Sequence, residues 1–155
     1  MGAPYTYIKR KTEDAFEELI LRCGGEDLES VQVVKGFNGD DLETPRVGIL
    51  AAGADPEKIG DDTDRFAHVT GNWFVEIGFS VATHISGQDR DRHALICAAV
   101  EDVLMRSDVV AQLNAIGISD FTAYHFAPGA GTDSEDIENG ELLSVYSGVL
   151  YCCPS

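Results

Sequence analysis

The chain has 155 residues, 44% of them hydrophobic, and its 27 acidic residues against 11 basic ones give a formal charge of −16. Those totals suit one folded domain over residues 1–155 and exclude wholesale disorder. So acidic a surface repels phosphate and gains little from counterion release, which excludes direct DNA binding.

No run of about 18 apolar residues occurs, so no membrane partner is expected. Met1-Gly2-Ala3-Pro4-Tyr5 lacks the basic and apolar regions of a secretory signal. Gly2 with Thr6 fits a myristoylation pattern only loosely, and Pro4 and the lack of a basic patch argue against it. Cys23, Cys97, Cys152 and Cys153 form no C-x-x-C pair, so no structural zinc site is expected. Cys97 reads as a buried small hydrophobe, and the reduced cytoplasm as the place of synthesis.

Thr12 is expected to cap a helix over residues 13–22, with Phe16, Leu19, Ile20 and Cys23 as its apolar stripe. Val31, Val33 and Val34 suggest a short strand ended by Gly36 and Asn38-Gly39-Asp40. Pro45 introduces a second strand over 47–52 that could close a hairpin with the first. The composition then turns acidic over residues 53–71, where weak periodicity reads as a loop.

The densest signal follows. Trp73, Val75, Ile77, Phe79, Val81, Thr83 and Ile85 alternate with Phe74, Glu76, Gly78, Ser80, Ala82 and His84, as a long strand with one buried face requires. The second set is small at Gly78, Ser80 and Ala82, which suits close packing by a helix or a neighbouring subunit. Ser86-Gly87-Gln88 breaks the alternation, and Ile96, Val100, Val103 and Leu104 then repeat at helical spacing. Ser107 is expected to cap a second helical piece through Asn114, closed by Gly117.

Residues 121–126 form the next strand candidate, with Tyr124 and Phe126 on one side and Pro128-Gly129-Ala130-Gly131 ending it. A second acidic loop is expected over 129–141. A last strand over 142–152 carries Leu143, Val145, Val149 and Tyr151 on its better face. The order predicts an α+β domain: a mostly antiparallel sheet of about five strands with two or three helices packed on one face.

No phosphate cradle, nucleophile elbow, H-E-x-x-H or dinucleotide fingerprint is present, and Gly129-Ala130-Gly131 reads as a turn. His68, His84, His93 and His125 lack metal-ligand spacing. His84 and His93 flank one turn and could share a ligand or a reaction with Asp89 or Asp91; solvated turn residues are the simpler reading. The acidic loops could bind a hard cation, but aligning Gly140 on an EF-hand glycine puts Ile137 at a ligand position.

The long alternating strand, the polar turn, Asp91-Arg92-His93-Ala94 opening a helix, Ser107-Asp108-Val109 with Leu113, a strand at Phe121, an acidic excursion and a strand ending at Tyr151 together resemble the tail terminator proteins of long-tailed bacteriophages. These are also called tail completion or head–tail joining proteins. The resemblance covers residues 13–151 as element order and 73–151 as sequence texture. It implies a non-enzymatic virion structural protein, made in the bacterial host cytoplasm and sited at the tail–head joint. It further implies a hexameric ring that ends the tail-tube protein's polymer, meets the head connector and lets DNA pass without specific binding. Acidic walls suit such a lumen, so Asp55, Glu57, Asp61, Asp62, Asp64, Asp133, Glu135, Asp136 and Glu138 are the candidate lumen- or joint-facing residues. No catalytic residue, cofactor or metal is assigned. A related head-completion or tail-tube subunit, and a cation-binding module using the acidic loops, remain as alternatives.

Overall fold

The central strand of the sheet is the long alternating segment. In the computed structural model, which describes residues 4–36, 44–56, 72–86, 89–117, 121–136 and 140–154, this strand is β3, Trp73–His84. Five strands pair in the order β1-β2-β3-β5-β4, with β1 Gln32–Lys35, β2 Arg46–Pro56, β4 Phe121–Asp136 and β5 Glu141–Pro154. Among the described residues three α-helices accompany them, α1 Pro4–Cys23, α2 Asp89–Leu104 and α3 Val109–Ile116, with a 3-10 turn at Glu26–Leu28. The α+β class therefore holds, although the sheet is mixed.

All three helices lie on one face. Phe16 of α1 meets Phe79 at 5.2 Å and Phe126 at 5.1 Å between ring centroids, and His93 of α2 bonds Thr83. Val110 of α3 lines a cavity with Phe126. Trp73, Val75, Ile77, Phe79, Val81 and Thr83, the expected inner face of β3, are all buried beneath them. Phe16, Leu19, Ile20, Ile96, Val100 and Val103 complete the core from the helix side.

The first two strands do not form a hairpin. β1 runs parallel to β2, Gln32 opposite Arg46 and Lys35 opposite Ile49. Two short apolar runs beside a turn signal look the same in either direction; the direction is decided by how the intervening chain returns. Residues 37–43, which hold Asn38-Gly39-Asp40, lie outside the described residues.

Helix α1 begins nine residues before the expected start. Thr12 is an interior residue whose hydroxyl donates back to the Ile8 carbonyl at 2.7 Å, so it needs no cap geometry. Its neighbour Glu13 is fully buried. The Glu13 carboxylate accepts from Arg10 at 2.8 Å and from the Ala51 backbone N–H at 2.8 Å. Ala51 adjoins a register shift in the β2–β3 ladder, so the carboxylate supplies an acceptor where the sheet is irregular.

The other end of the sheet also departs from expectation. Residues 129–136 are strand, not loop, and β4 continues through Pro128-Gly129-Ala130-Gly131 by way of a bulge between Pro128 and Gly131. The glycines are there for close approach. A Cβ on Gly131 would lie 2.6 Å from the Tyr146 ring, and one on Gly129 would lie 2.8 Å from Ser147 Oγ. A second shift between Ala123 and His125 puts Tyr124 and Phe126 on opposite sides. The better face of β5 is likewise the other one: Leu142, Ser144, Tyr146, Leu150 and Cys152 are buried, while Leu143, Val145, Val149 and Tyr151 are only half-buried on the helix-free face. Finally, Asp108 and not Ser107 precedes α3; its carboxylate binds Arg106 at 2.8 Å and Gln112 at 3.2 Å, which hold its pKa down at about 2. Gly117 closes that helix as expected, with φ 80°.

Candidate functional site

Helix α2 covers β3 and the near side of β5, leaving the outer part of the β5–β4 pair open. The result is a groove of about 670 Å³ between α2 and the β4–β5 ribbon. Arg90, His93, Cys97 and Glu101 come from one side of α2, and Asp133, Glu135, Ser144 and Tyr146 from the ribbon. Arg90 donates to Glu135 at 3.0 Å at one end. Tyr146 lies at the other, its hydroxyl pKa raised by burial and by the neighbouring Cys97.

A line of hydrogen bonds crosses the floor. Ser144 Oγ donates to Asp133 Oδ1 at 2.6 Å, because a carboxylate can only accept. With its proton spent there, Ser144 accepts from His93 Nε2–H at 2.8 Å, and His93 Nδ1 accepts from the Thr83 hydroxyl at 2.8 Å. These roles are those of the neutral imidazole. Burial lowers its pKa from 6.5, against the opposing pull of Asp133. This arrangement superficially resembles a serine-hydrolase relay, but the Ser144 proton points away from the histidine, so the histidine does not activate the hydroxyl. It fixes α2 to β3, β5 and β4 instead.

The helix-free face is built differently. Arg46 on β2 reaches across β3 to Glu141 on β5 in a two-pronged ion pair, at 2.6 and 2.9 Å. Arg46 stands opposite Ala82, and Glu141 opposite His84, so the pair passes over the small end of that face. The small residues at Ala82 and Ser80 are thus buried without a helix above them. Toward the other end, Tyr151 is surrounded by Phe74 at 4.8 Å, His125 at 5.3 Å and Tyr124 at 6.1 Å.

The candidate residues divide between these regions. Asp133 and Glu135 line the groove, and Asp136 ends β4 opposite Glu141. Asp55 is exposed on β2 opposite Phe74, whereas Asp133 aligns through Ser144 with Val81. Seven positions of β3 separate those two levels, about 23 Å at roughly 3.3 Å per residue, so the structure does not bring Asp55 to Asp133. Glu57, Asp61, Asp62, Asp64 and Glu138 lie outside the described residues, as does His68.

His84 and His93 do not meet. His84 is exposed on the helix-free face, where its Nδ1 accepts from the Ser86 N–H at 3.2 Å, and His93 is bound on the other face. Asp89 instead accepts from Ser86 Oγ at 3.1 Å at the start of α2. Among the described residues no group of three or more His, Cys, Asp or Glu is placed to hold a metal, and no helix there is long and apolar enough to cross a membrane. Ser144 and Arg46 were missed from sequence. Ser144 stands on what reads as the polar face of β5, and Arg46 lies on the helix-free face one residue before the expected strand.

No protein-family model matches the chain, and no curated protein matches it. The fold does match a solved one. A chain in a structure described as the virion of a native gene transfer agent (GTA) particle superposes with a TM-score of 0.53 at 14% identity, over 94% of each chain. At that identity the likeness is one of fold, and the fold is one found in a virion particle.

Proposed function

We propose that the protein is a non-enzymatic virion structural protein that forms a ring, ends the tail tube and joins it to the head connector. The observation that carries this reading is the fold match over 94% of both chains to a chain of a gene transfer agent virion. The charge of −16 supports it, since a ring through which DNA travels must not hold phosphate. The layout of the groove supports a structural role: its serine and histidine hold elements together and are not poised for reaction. A hexamer built from one repeated head-to-tail contact is the assembly proposed, with the tail-tube protein and head connector as further partners.

Cation binding by the second acidic segment finds less support. Asp133 is committed to Ser144 and Glu135 to Arg90, on a strand and not on a loop that could wrap an ion.

The test is assembly. Negative-stain microscopy and light scattering, with rising protein concentration and with isolated tail tubes, should show discrete rings of about six subunits that cap tube ends. A monomer at every concentration, with and without tubes, overturns the reading. Incorporation along the tube, instead of at its end, replaces it with a tube-subunit role.

A further inference from the structure

We infer that the groove between α2 and the β4–β5 ribbon receives the basic N-terminal half of α1 from a second copy of this chain. This rests on the ring reading and names the contact that would build the ring.

The two surfaces are complementary in charge. Three carboxylates, Glu101, Asp133 and Glu135, line the groove against one guanidinium, Arg90; although Ser144 holds Asp133 and Arg90 holds Glu135, the lining keeps a net negative charge. In a chain with only 11 basic residues, three stand in a row at Lys9, Arg10 and Lys11 on α1, and of these Arg10 is held by its own Glu13, which makes Lys9 and Lys11 the pair offered to a neighbour. The first turn of α1 also contains no acidic residue, so the positive end of its dipole is not offset by a local carboxylate. Copies of a protein with a charge of −16 repel one another, and this basic run is where attraction to an acidic surface is strongest.

The dimensions and shape agree. The groove follows α2 from Arg90 to Glu101, about 16 Å at roughly 1.5 Å per residue. The part of α1 before Glu13 spans Pro4 to Thr12, about 13 Å on the same scale. Cys97 and the Tyr146 ring give the groove an apolar part beside its polar line, and Tyr7 on the donor helix is 40% exposed with Lys11 stacked over its ring.

The placement of the two surfaces determines the kind of assembly. Glu13, two residues after Lys11, seats on β2, whereas the groove lies at β5 and β4, toward the other edge of the sheet. With donor and acceptor surfaces apart, a copy can give α1 to one neighbour and receive it from another, which is a heterologous contact. A contact of that type closes into a ring when its rotation allows.

Three variants test the contact: Lys9→Glu with Lys11→Glu, Glu101→Lys with Glu135→Lys, and all four together. Assembly is followed by analytical ultracentrifugation across concentration, after circular dichroism has established that each variant is folded. Each two-site reversal should raise the concentration needed for assembly by about tenfold or more, and the four-site variant should recover most of that loss. Carbodiimide treatment of a mixed light- and heavy-nitrogen sample should give cross-links between Lys9 or Lys11 and Glu101 or Glu135 that carry both isotopes. If the wild type assembles while the reversals assemble equally well and no mixed-isotope link forms, this contact is wrong and the ring reading stands. Loss in both reversals without recovery in the four-site variant also rejects the pairing. A wild type that never assembles, even on tail tubes, overturns the ring reading and this contact with it.

Discussion

Glu13 and His93 are both polar groups placed beneath a helix, one on each flank of the sheet. Under α1 the polar group is sealed in: Glu13 is fully buried, and its two oxygens are taken by Arg10 and the Ala51 N–H. Around it Phe16 packs against both Phe79 and Phe126. Under α2 the polar line is built beside an opening, because the sheet extends past the helix as β4 and the floor of the groove is reached from solvent. A closed flank can spend its contacts on stability alone. An open one retains surface that its own fold does not use.

The difference predicts a gradient of mutational effects. The largest belongs to the closed flank. Phe16→Ala removes a ring at the junction of α1, β3 and β4 and should cost about 3–5 kcal/mol, read as a lowered urea midpoint with an unchanged slope. A loss below about 1 kcal/mol would mean that this flank is not sealed.

Glu13→Ala comes next. It leaves the Ala51 N–H buried without an acceptor and should cost about 1–3 kcal/mol. Hydrogen exchange at Ala51 should quicken more than at Val81 on the neighbouring strand. Equal protection at both amides would show that the carboxylate does not hold the irregular ladder.

On the open flank the expected effect is smaller and depends on pH. The folded-state pKa of His93 lies below its unfolded value of 6.5. Between the two values the unfolded chain binds more protons, so stability is fully present above pH 6.5 and falls as the pH drops through that window. Wild type should therefore lose thermal stability as the pH falls below 6.5. His93→Gln should flatten that part of the profile. An unchanged profile in the variant would remove His93 as its cause.

The smallest effect separates the cysteines. Burial, with the adjacent Cys153, pushes the Cys152 thiol up to about 12, and Cys97 is also buried. Iodoacetamide on the native protein should alkylate Cys153 and Cys23 well before those two. Early modification of Cys97 would show that the groove floor is wider open than its walls indicate.

The sequence by itself determined the elements whose pattern is local. Alternation in β3 and helical spacing in α1, α2 and α3 were legible because each residue's side of its element follows from its own neighbours. Distant pairing decided what was misread. The parallel course of β1 depends on a return path, which Val33 and Val34 do not encode. The β4 strand reads as a turn because Pro128, Gly129 and Gly131 are turn residues; only the Tyr146 ring and Ser147 across the ladder show why small residues stand there. Ser144 reads as the poor face of β5 until His93 and Asp133, 51 and 11 positions away in sequence, arrive beside it. The groove could not be read at all, since it exists only where α2 stops short of the sheet's edge. Periodicity settles which side of an element is apolar, whereas register and the reach of the covering helix settle what each side faces, and those are properties of the assembled chain.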